Sequence, residues 1–295
     1  MKRRTFRVDR RGLLAAAVAH GLSADDAEAR ALIARGAVYL DGRRCLSPAA
    51  PVGAGQTVMV VLEERGQPAL AAPAPPVPLR ILFEDAQVLA VDKPAGITAQ
   101  PTPSRVGESL VDLASHHLGR TAGLVHRLDR ETSGVTVFGK TPEATRALAA
   151  AFRKGTARKQ YLAIAAGELP ERGVIDLKLS RDPKRPGRFR ASPIANGVTA
   201  RTRYERLGAV PGVVVVALFP ETGRTHQLRA HLAALGAPIA GDVLYGGPRE
   251  LLGFPAPRVL LHAQRLVVPH PATGAPLELE SPVPDELQRF VDRIR

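Results

Sequence analysis

A run of prolines divides the chain into two parts. The stretch GQPALAAPAPPVPLR, residues 66–80, contains five prolines: Pro68, Pro73, Pro75, Pro76 and Pro78. Because proline lacks a backbone N–H and has a fixed φ, this stretch can neither continue a helix nor lie in a central strand. It favours a semi-extended linker. We therefore predict an N-terminal domain at 1–63, a linker at 64–79 and a larger domain at 80–295.

The N-terminal part predicts two helices followed by a small strand pair. GLLAAAVAHGL has a helical pattern, and a second helix is expected from Ser23, as its N-cap, to Gly36. Alternating apolar residues follow, with a turn at Asp41-Gly42. The segment ARALIARGAVYLDGRRCLSPAAPVGAGQTVMV resembles the ribosomal-protein-S-four-like RNA-binding domain.

Two departures from that pattern leave an alternative open. Gln56 stands where an acid is usual, and Ser23-Ala24 replaces the common Ser-Arg. The alternative is an unrelated α+β cap. If the resemblance holds, Arg30 and Arg35 are candidate RNA-binding residues.

The larger part predicts α+β structure. Strand patterns such as ILFEDAQVLAV, GVTVFGKT, KQYLAIAAGEL, GVVVVALFP and RVLLHAQRLVV are interspersed with helical ones. TPEATRALAAAFRKG is a helix with Thr141 as N-cap and Gly155 at its end, and RTHQLRAHLAALG is a helix closed by Gly236. The irregular spacing favours a mixed, largely antiparallel central sheet with flanking helices.

The charge balance indicates a polyanionic partner. Lys and Arg total 41 against 28 Asp and Glu, a net charge of +13. Nucleic acid is the commonest such partner, although a merely basic protein is the alternative. A single cysteine, Cys45, fits a reducing compartment, and we expect a cytoplasmic protein. The N-terminus does not read as a signal peptide, and no apolar segment is long enough to span a membrane.

Two familiar kinds of site are disfavoured. GVTVFGKT, residues 134–141, matches the phosphate-loop pattern, but Val135, Thr136 and Val137 favour an extended strand over a loop around phosphates. The histidines are scattered, and one cysteine excludes a thiolate cage. We expect neither a metal nor a cofactor.

The stretch HRLDRETSG, residues 126–134, places Asp129 just before a strongly apolar strand. A carboxylate beside a buried strand needs compensation, or it takes up a proton. ETGRTHQLRAH, residues 221–231, offers Arg224 and Arg229 as cationic partners. Tyr161 opens the strand RKQYLAIA and could stack on a base. Each feature alone is also compatible with a solvated loop, a capping arginine or a core tyrosine.

Together these motifs resemble one family. HRLDRETSG is similar to the catalytic motif of RluA-type pseudouridine synthases, RKQYLA to their Lys-x-Tyr motif, and GRTHQLRAHLAALGAPIAGDVLYG to their third motif. VLAVDKPAGITAQP and LLHAQRLVVPHPATG also fit, so the resemblance covers about residues 80–290 in the expected order. It implies the pseudouridine synthase fold. The S-four-like segment in front points to the RluC/RluD-like branch that acts on large-subunit ribosomal RNA.

The resemblance implies a role for each matching residue. Asp129 would be the essential carboxylate, Arg229 its charge partner, and Tyr161 the ring stacked on uracil near carbon 5. Arg127 would enter the base stack in place of the flipped nucleotide. RNA-binding or positioning roles fall to Arg224, His226 and Lys159, and KLSRDPKRPGRFR, residues 178–190, is expected to be a basic loop that tracks phosphates.

The implied reaction detaches uracil from its ribose, turns it over and rejoins it through carbon 5, without cofactor. Asp129 would attack carbon 1′ or remove a proton from carbon 2′, and the sequence does not choose. The implied substrate is structured RNA of the 23S type, with transfer RNA as an alternative, and we expect a monomer without a protein partner or membrane. Two rivals remain: a non-catalytic RNA-binding protein, and a hydrolase that stops after cleaving the glycosidic bond.

Overall fold

Residues 2–34, 36–45, 47–63, 78–101, 109–194 and 196–294 are described by a computed structural model. Arg35 and most of the predicted linker, residues 64–77, lie outside these ranges. The chain forms two compact units, Met1–Pro78 with Gln100–His117, and Leu79–Ala99 with Leu118–Arg295. The grouping of Gln100–His117 with the first unit was not expected from the sequence. No described helix combines the length and the apolarity needed to cross a membrane.

The first unit combines two helices with short strands. Its elements are β1 Lys2–Arg7, β2 Gly12–Leu13, α1 Leu14–Leu22, α2 Asp26–Ala34, β3 Val38–Leu40, β4 Arg43–Arg44, β5 Pro51–Val52 and β6 Thr57–Glu63. Four strands form a sheet in the order β1-β6-β3-β4, and β2 pairs with β5. Both helices bury an apolar side, including Leu14, Val18 and Ile33, against Val58 and Val60 of β6. Each fully buried side chain of this size stabilises the fold by about 1.5–3 kcal/mol.

In this unit one strand was not predicted and one local prediction was wrong. Strand β1 was not predicted, because Lys2–Arg7 carries four charged residues among six. Ser23 is not the N-cap of α2 but lies in the left-handed conformation (φ 55°) that ends α1. The cap of α2 is Asp25, whose Oδ1 accepts a hydrogen bond from the Glu28 N–H at 2.6 Å.

The Asp41-Gly42 turn was predicted correctly. Both residues have positive φ, 48° and 77°, and they join β3 to β4 as a two-residue hairpin. Asp41 also accepts a hydrogen bond from the Thr57 N–H at 2.9 Å, and Gln56 donates to its other oxygen at 2.8 Å. The glutamine at the position where an acid is usual is therefore used to tie the turn to β6.

The larger sheet of the chain lies in the second unit. The elements from Arg80 onward are β7 Arg80–Glu84, β8 Val88–Lys93, α3 Leu110–Leu118, β9 Gly123–Leu124, β10 Ser133–Gly139, α4 Pro142–Lys154, β11 Arg158–Ala166, β12 Arg172–Arg181, β13 Phe189–Ser192, β14 Val198–Val210, β15 Val213–Pro220, α5 Gln227–Ala234, a 3₁₀ turn Val243–Tyr245, β16 Glu250–Leu251, β17 Phe254–Pro255, β18 Leu261–Pro269, β19 Pro276–Glu280 and α6 Asp285–Ile294.

Eleven of these strands form one sheet. The order is β13-β12-β14-β15-β11-β18-β10-β8-β7, with β19 beside β18 and β9 beside β10. Among the described strand pairs, the sole parallel one joins β10 to β18, where Ser133 and Gly134 lie opposite His262 and Ala263. The predicted fold class, α+β with a largely antiparallel central sheet, is confirmed. We call the β10–β18 pairing the parallel seam.

The strand and helix predictions around the seam hold in detail. All seven residues of β10 are buried, so GVTVFGKT is a core strand and not a phosphate loop. Helix α4 begins as predicted, because Thr141 Oγ1 accepts from the Ala144 N–H at 3.1 Å and Pro142 occupies the first turn. Gly155 ends it with a φ of 74°.

One prediction in this unit was correct in part, and another was wrong. KLSRDPKRPGRFR is a loop in its middle part, residues 182–188, whereas Lys178 and Arg181 lie on β12 and Arg190 lies on β13, and the two strands pair as a hairpin. Helix α5 starts at Gln227, so Arg224 precedes the helix instead of lying on it.

Candidate active site

A cleft of 710 Å³ opens in the second unit, within the range of about 300–1,000 Å³ typical of ligand sites. It contains Asp129, Tyr161, Arg229, Arg127, Arg224, His226 and Lys159, which are the seven site residues predicted from the three motifs. Arg153 and Lys154 at the end of α4 add two further cations to its lining. The acids of the lining are Asp129 and Glu221, so cations dominate the cleft.

The segment that carries Asp129 is anchored at its start by His126. The imidazole stacks on Phe152 with ring centroids 4.5 Å apart, and its Nε2 accepts a hydrogen bond from the Val137 N–H of β10 at 3.0 Å. Burial, assisted by the charge of Lys159, lowers the pKa of His126 to about 3. A neutral ring is the form that can accept this bond.

Two basic side chains hold the carbonyl groups that follow Asp129. Lys93, buried at the end of β8, donates from Nζ to the carbonyl of Arg130 at 3.0 Å, and burial lowers its pKa to about 7. Arg258 donates to the carbonyl of Glu131 at 3.3 Å and to Ser133 Oγ at 3.0 Å. The backbone on the C-terminal side of Asp129 is therefore fixed from both sides.

Arg229 lies between two carboxylates. Its Nε and Nη2 donate to Asp242 Oδ2 and Oδ1 at 2.6 and 2.8 Å, and its Nη1 lies 3.4 Å from Asp129 Oδ2. Burial is the largest influence and opposes the charge of this guanidinium, but the hydrogen bonds to Asp242 and the negative charges of Asp242 and Asp129 together outweigh it and raise the pKa of Arg229. Sequence and structure agree that Arg229 faces Asp129, whereas its closer partner, Asp242, was not predicted.

His226 approaches Asp129 from the start of α5. Its Nε2 lies 3.8 Å from Asp129 Oδ2, and its Nδ1 lies 3.1 Å from the hydroxyl of Tyr245. Burial lowers the pKa of His226, although the charge of Asp129 acts in the opposite direction. The residue has a φ of 56°, in the left-handed region that is uncommon for residues other than glycine, so the backbone is constrained where His226 meets the carboxylate.

Tyr161 lies on β11 between two neighbouring strands. It is opposite Leu218 of β15 and Ala263 of β18. Burial, together with the nearby charge of Asp129, raises the pKa of the Tyr161 phenol, so the hydroxyl stays neutral at physiological pH. The ring is available to the cleft as an uncharged surface with a polar edge.

The remaining predicted cations differ in how firmly they are held. Lys159 donates to the Thr222 carbonyl at 3.0 Å and Arg224 to the Thr199 carbonyl at 3.2 Å, whereas Arg127 is exposed. Arg30 belongs to the first unit and pairs with Asp26 at 2.5 Å. Arg35 lies outside the described residues.

Sequence reasoning missed Lys93, Arg258, Asp242 and Tyr245. One signal was present: Lys93 ends the apolar run VLAVDK, and a lysine in a buried strand requires polar partners. Asp242 and Tyr245 lie in the matched segment GDVLYG, but nothing in their spacing relates them to Asp129.

The model of the family described as RNA pseudouridylate synthase matches residues 87–234. This range includes the segment with Asp129, the strand with Tyr161 and the helix with Arg229. The chain therefore belongs to the RNA pseudouridylate synthase family, whose members are isomerases of RNA.

Individual relatives agree with this assignment. The chain is 38% identical over 229 residues to a ribosomal large subunit pseudouridine synthase D of Nitrosomonas europaea, covering 74% of this chain and 66% of that protein. It is 36% identical over 282 residues to the protein of the same name from Xanthomonas campestris, covering 89% and 82%. Human RNA pseudouridylate synthase domain containing 4 has a similar structure, with a TM-score of 0.60 and 27% identity over 72% of this chain and 92% of that one.

Proposed function

We propose that this enzyme converts uridines of large-subunit ribosomal RNA to pseudouridine. The observation that carries the proposal is the position of Asp129, a carboxylate paired with Arg229 in a cation-lined cleft that also contains Tyr161. The relatives named for the large ribosomal subunit support the choice of RNA. The proposal includes a monomer that acts in the cytoplasm, where a chain with a single cysteine is at no disadvantage.

The reaction breaks the bond between N1 and carbon 1′, forms a bond between carbon 5 and carbon 1′, and moves the carbon 5 proton away while N1 gains one. Asp129 serves either as nucleophile at carbon 1′ or as base at carbon 2′. Both roles require an ionised carboxylate, and the guanidinium of Arg229 lies 3.4 Å from Asp129 Oδ2 as its cationic partner.

Tyr161 and Arg127 handle the base. A target inside paired RNA must leave its stack at an energy of a few kcal/mol, and the neutral Tyr161 ring offers it a new stacking surface. Arg127 is exposed at the cleft, so its planar guanidinium is free to take the vacated place in the RNA.

The experiment that tests the function uses RNA transcribed with uracil tritiated at carbon 5. We expect tritium release without free uracil, because the carbon 5 proton leaves while the base is rejoined. Release of free uracil would instead support a hydrolase. Tight RNA binding with neither product would support a non-catalytic binding protein.

The first unit supplies RNA affinity through strand β1 rather than helix α2. Arg3, Arg4 and Arg7 of β1 are exposed, as are Arg10 and Arg11 just after it, and in the described part of the chain none of the five lies within ion-pair distance of an acid. Helix α2 begins with Asp26 and Glu28, and its one described arginine, Arg30, is engaged by Asp26. Unpaired arginines release counterions on binding phosphate, whereas a paired one must first leave its acid.

The Arg3→Gln/Arg7→Gln double variant should bind structured ribosomal RNA more weakly. These two residues lie on the same face of β1, about 13 Å apart at a strand's rise per residue. We expect the slope of log affinity against log salt to flatten by about 0.7–0.9 for each phosphate that the variant no longer neutralises. The matched control, Arg30→Gln, should change the slope less. A larger change of slope in Arg30→Gln than in the double variant would indicate that α2, not β1, binds the RNA.

A further inference from the structure

Asp242 determines which edge of the Arg229 guanidinium faces the reacting carboxylate. The two Asp242 oxygens accept from Nε and Nη2 at 2.6 and 2.8 Å, in the parallel geometry that gives an arginine–carboxylate pair its directional strength. Nη1 is the donor left toward Asp129, at the longer distance of 3.4 Å. Arg229 is therefore bound by two short hydrogen bonds to Asp242 and by one longer contact to Asp129.

The contacts of Asp129 use one of its two oxygens. Arg229 Nη1 and His226 Nε2 both approach Oδ2, at 3.4 and 3.8 Å. No described residue donates a hydrogen bond to Oδ1. An arginine free to turn would tend to bind both oxygens of Asp129 through its fork of donors, and the carboxylate would then have no uncommitted oxygen.

The segment around Asp242 is built to resist such turning. The Asp242 side chain is 1% exposed, and its backbone is fixed by hydrogen bonds with Ile239 at 3.0 Å and Gly247 at 2.8 Å. Gly241 precedes it with a φ of 79°, and a Cβ there would lie 1.7 Å from the Arg258 carbonyl. The guanidinium carbon of Arg229 lies over the Tyr245 ring, 5.0 Å from the ring centroid. Asp242 thus has a fixed place from which to hold Arg229.

We propose that Asp242 is a positioning residue of the reaction. By accepting hydrogen bonds from Nε and Nη2 of Arg229, it keeps that arginine from forming a bidentate pair with Asp129. Asp129 Oδ1 is thereby left free to react with the ribose. This inference rests on the proposed function, because it concerns the step that Asp129 performs. Asp242, a buried acid 13 residues beyond Arg229, would thus orient Asp129 through Arg229 without contacting Asp129 itself.

The first test is Asp242→Asn, assayed by tritium release in the full-length enzyme. The amide keeps the size of the side chain but offers one acceptor oxygen and no charge, so Arg229 is released toward Asp129. We expect the rate at saturating RNA to fall about 100-fold, the effect of a small misplacement at a reacting centre. The RNA concentration for half-saturation should change less than about threefold, since no group that binds RNA is removed. Asp176→Asn, the matched control on an exposed ion pair, should retain the wild-type rate.

A second comparison keeps the inference testable if Asp242→Asn alone is unstable. In an Arg229→Ala background there is no guanidinium to position, so adding Asp242→Asn should leave the residual rate unchanged within about twofold. It should also raise the melting temperature above that of Arg229→Ala, because a buried unpaired charge is removed. A further loss of rate, or no gain in melting temperature, would overturn the inference.

The two failures are separable. A wild-type enzyme that releases no tritium contradicts the proposed function, whatever Asp242 does. An active wild type beside an Asp242→Asn variant of nearly equal rate contradicts the role of Asp242 alone.

Discussion

The Asp129→Asn variant is expected to form no pseudouridine while binding RNA within about tenfold of the wild type, roughly 1.4 kcal/mol. The amide has the shape of the carboxylate, so the cations that line the cleft still bind phosphate. It lacks the negative charge that either pathway requires, whether attack at carbon 1′ or removal of a proton from carbon 2′. Tritium release and equilibrium binding, measured side by side, give the two quantities.

Glu131→Gln is the matched control for this loss. Glu131 lies two positions along the same segment and pairs with Arg130 at 2.8 Å. It is also the nearest acid to Asp129 along the chain, and a hydrolytic mechanism would need a second acid, so an inactive Glu131→Gln would favour the hydrolase. Turnover of Asp129→Asn at anything near the wild-type rate would mean that another group carries the reaction.

The Arg229→Ala variant should lose activity and also unfold more readily, by about 3–5 kcal/mol. Most of this destabilisation comes from Asp242, which is 1% exposed and loses two charge-assisted hydrogen bonds. Asp129 is 23% exposed and can be hydrated in part. The free energy of unfolding from urea titration measures the change.

Acid should relieve part of this destabilisation. An unpaired buried carboxylate binds its proton more tightly in the folded than in the unfolded chain, so protonation favours the folded state. The stability gap between Arg229→Ala and wild type should therefore narrow as the pH falls from 8 toward 5. Arg224→Ala, which removes an exposed arginine just before the same helix, should cause a smaller loss at every pH. An equal loss of unfolding free energy in Arg229→Ala and Arg224→Ala would show that leaving Asp242 without its arginine partner does not destabilise the fold.

The sequence predicted correctly those elements whose ends are marked by nearby capping and terminating residues. Helix α4 is an example, since Thr141, Pro142 and Gly155 mark its ends. The β12–β13 hairpin was missed because the many charges of residues 178–190 indicated a solvated loop, although Ile175 and Leu179 of β12 alternate toward the core. Strand β1 was missed for the same reason, and pairing with β6 is what makes it a strand.

The site divides in a similar way. Asp129, Tyr161 and Arg229 lie in motifs specific enough to be named from the sequence, and the structure brings them to one cleft. Their roles in the reaction stay predictions. Lys93 and Arg258 were missed because their hydrogen bonds join residues 37 and 127 positions apart, and no periodicity within one element reports such a distance.

The parallel seam has a consequence for when the enzyme can first act. Asp129 lies four residues before Ser133, which together with Gly134 pairs with His262 and Ala263 of β18; Ser133 and His262 are 129 positions apart. Arg229, Asp242 and Arg258 also come from the later part of the chain. During synthesis, domains fold as units while the chain grows from its N-terminus. Synthesis must therefore have passed Ala263 before the Asp129 carboxylate has its surroundings. On the proposal that the N-terminal arginines bind RNA, a nascent chain would bind RNA before it could modify it.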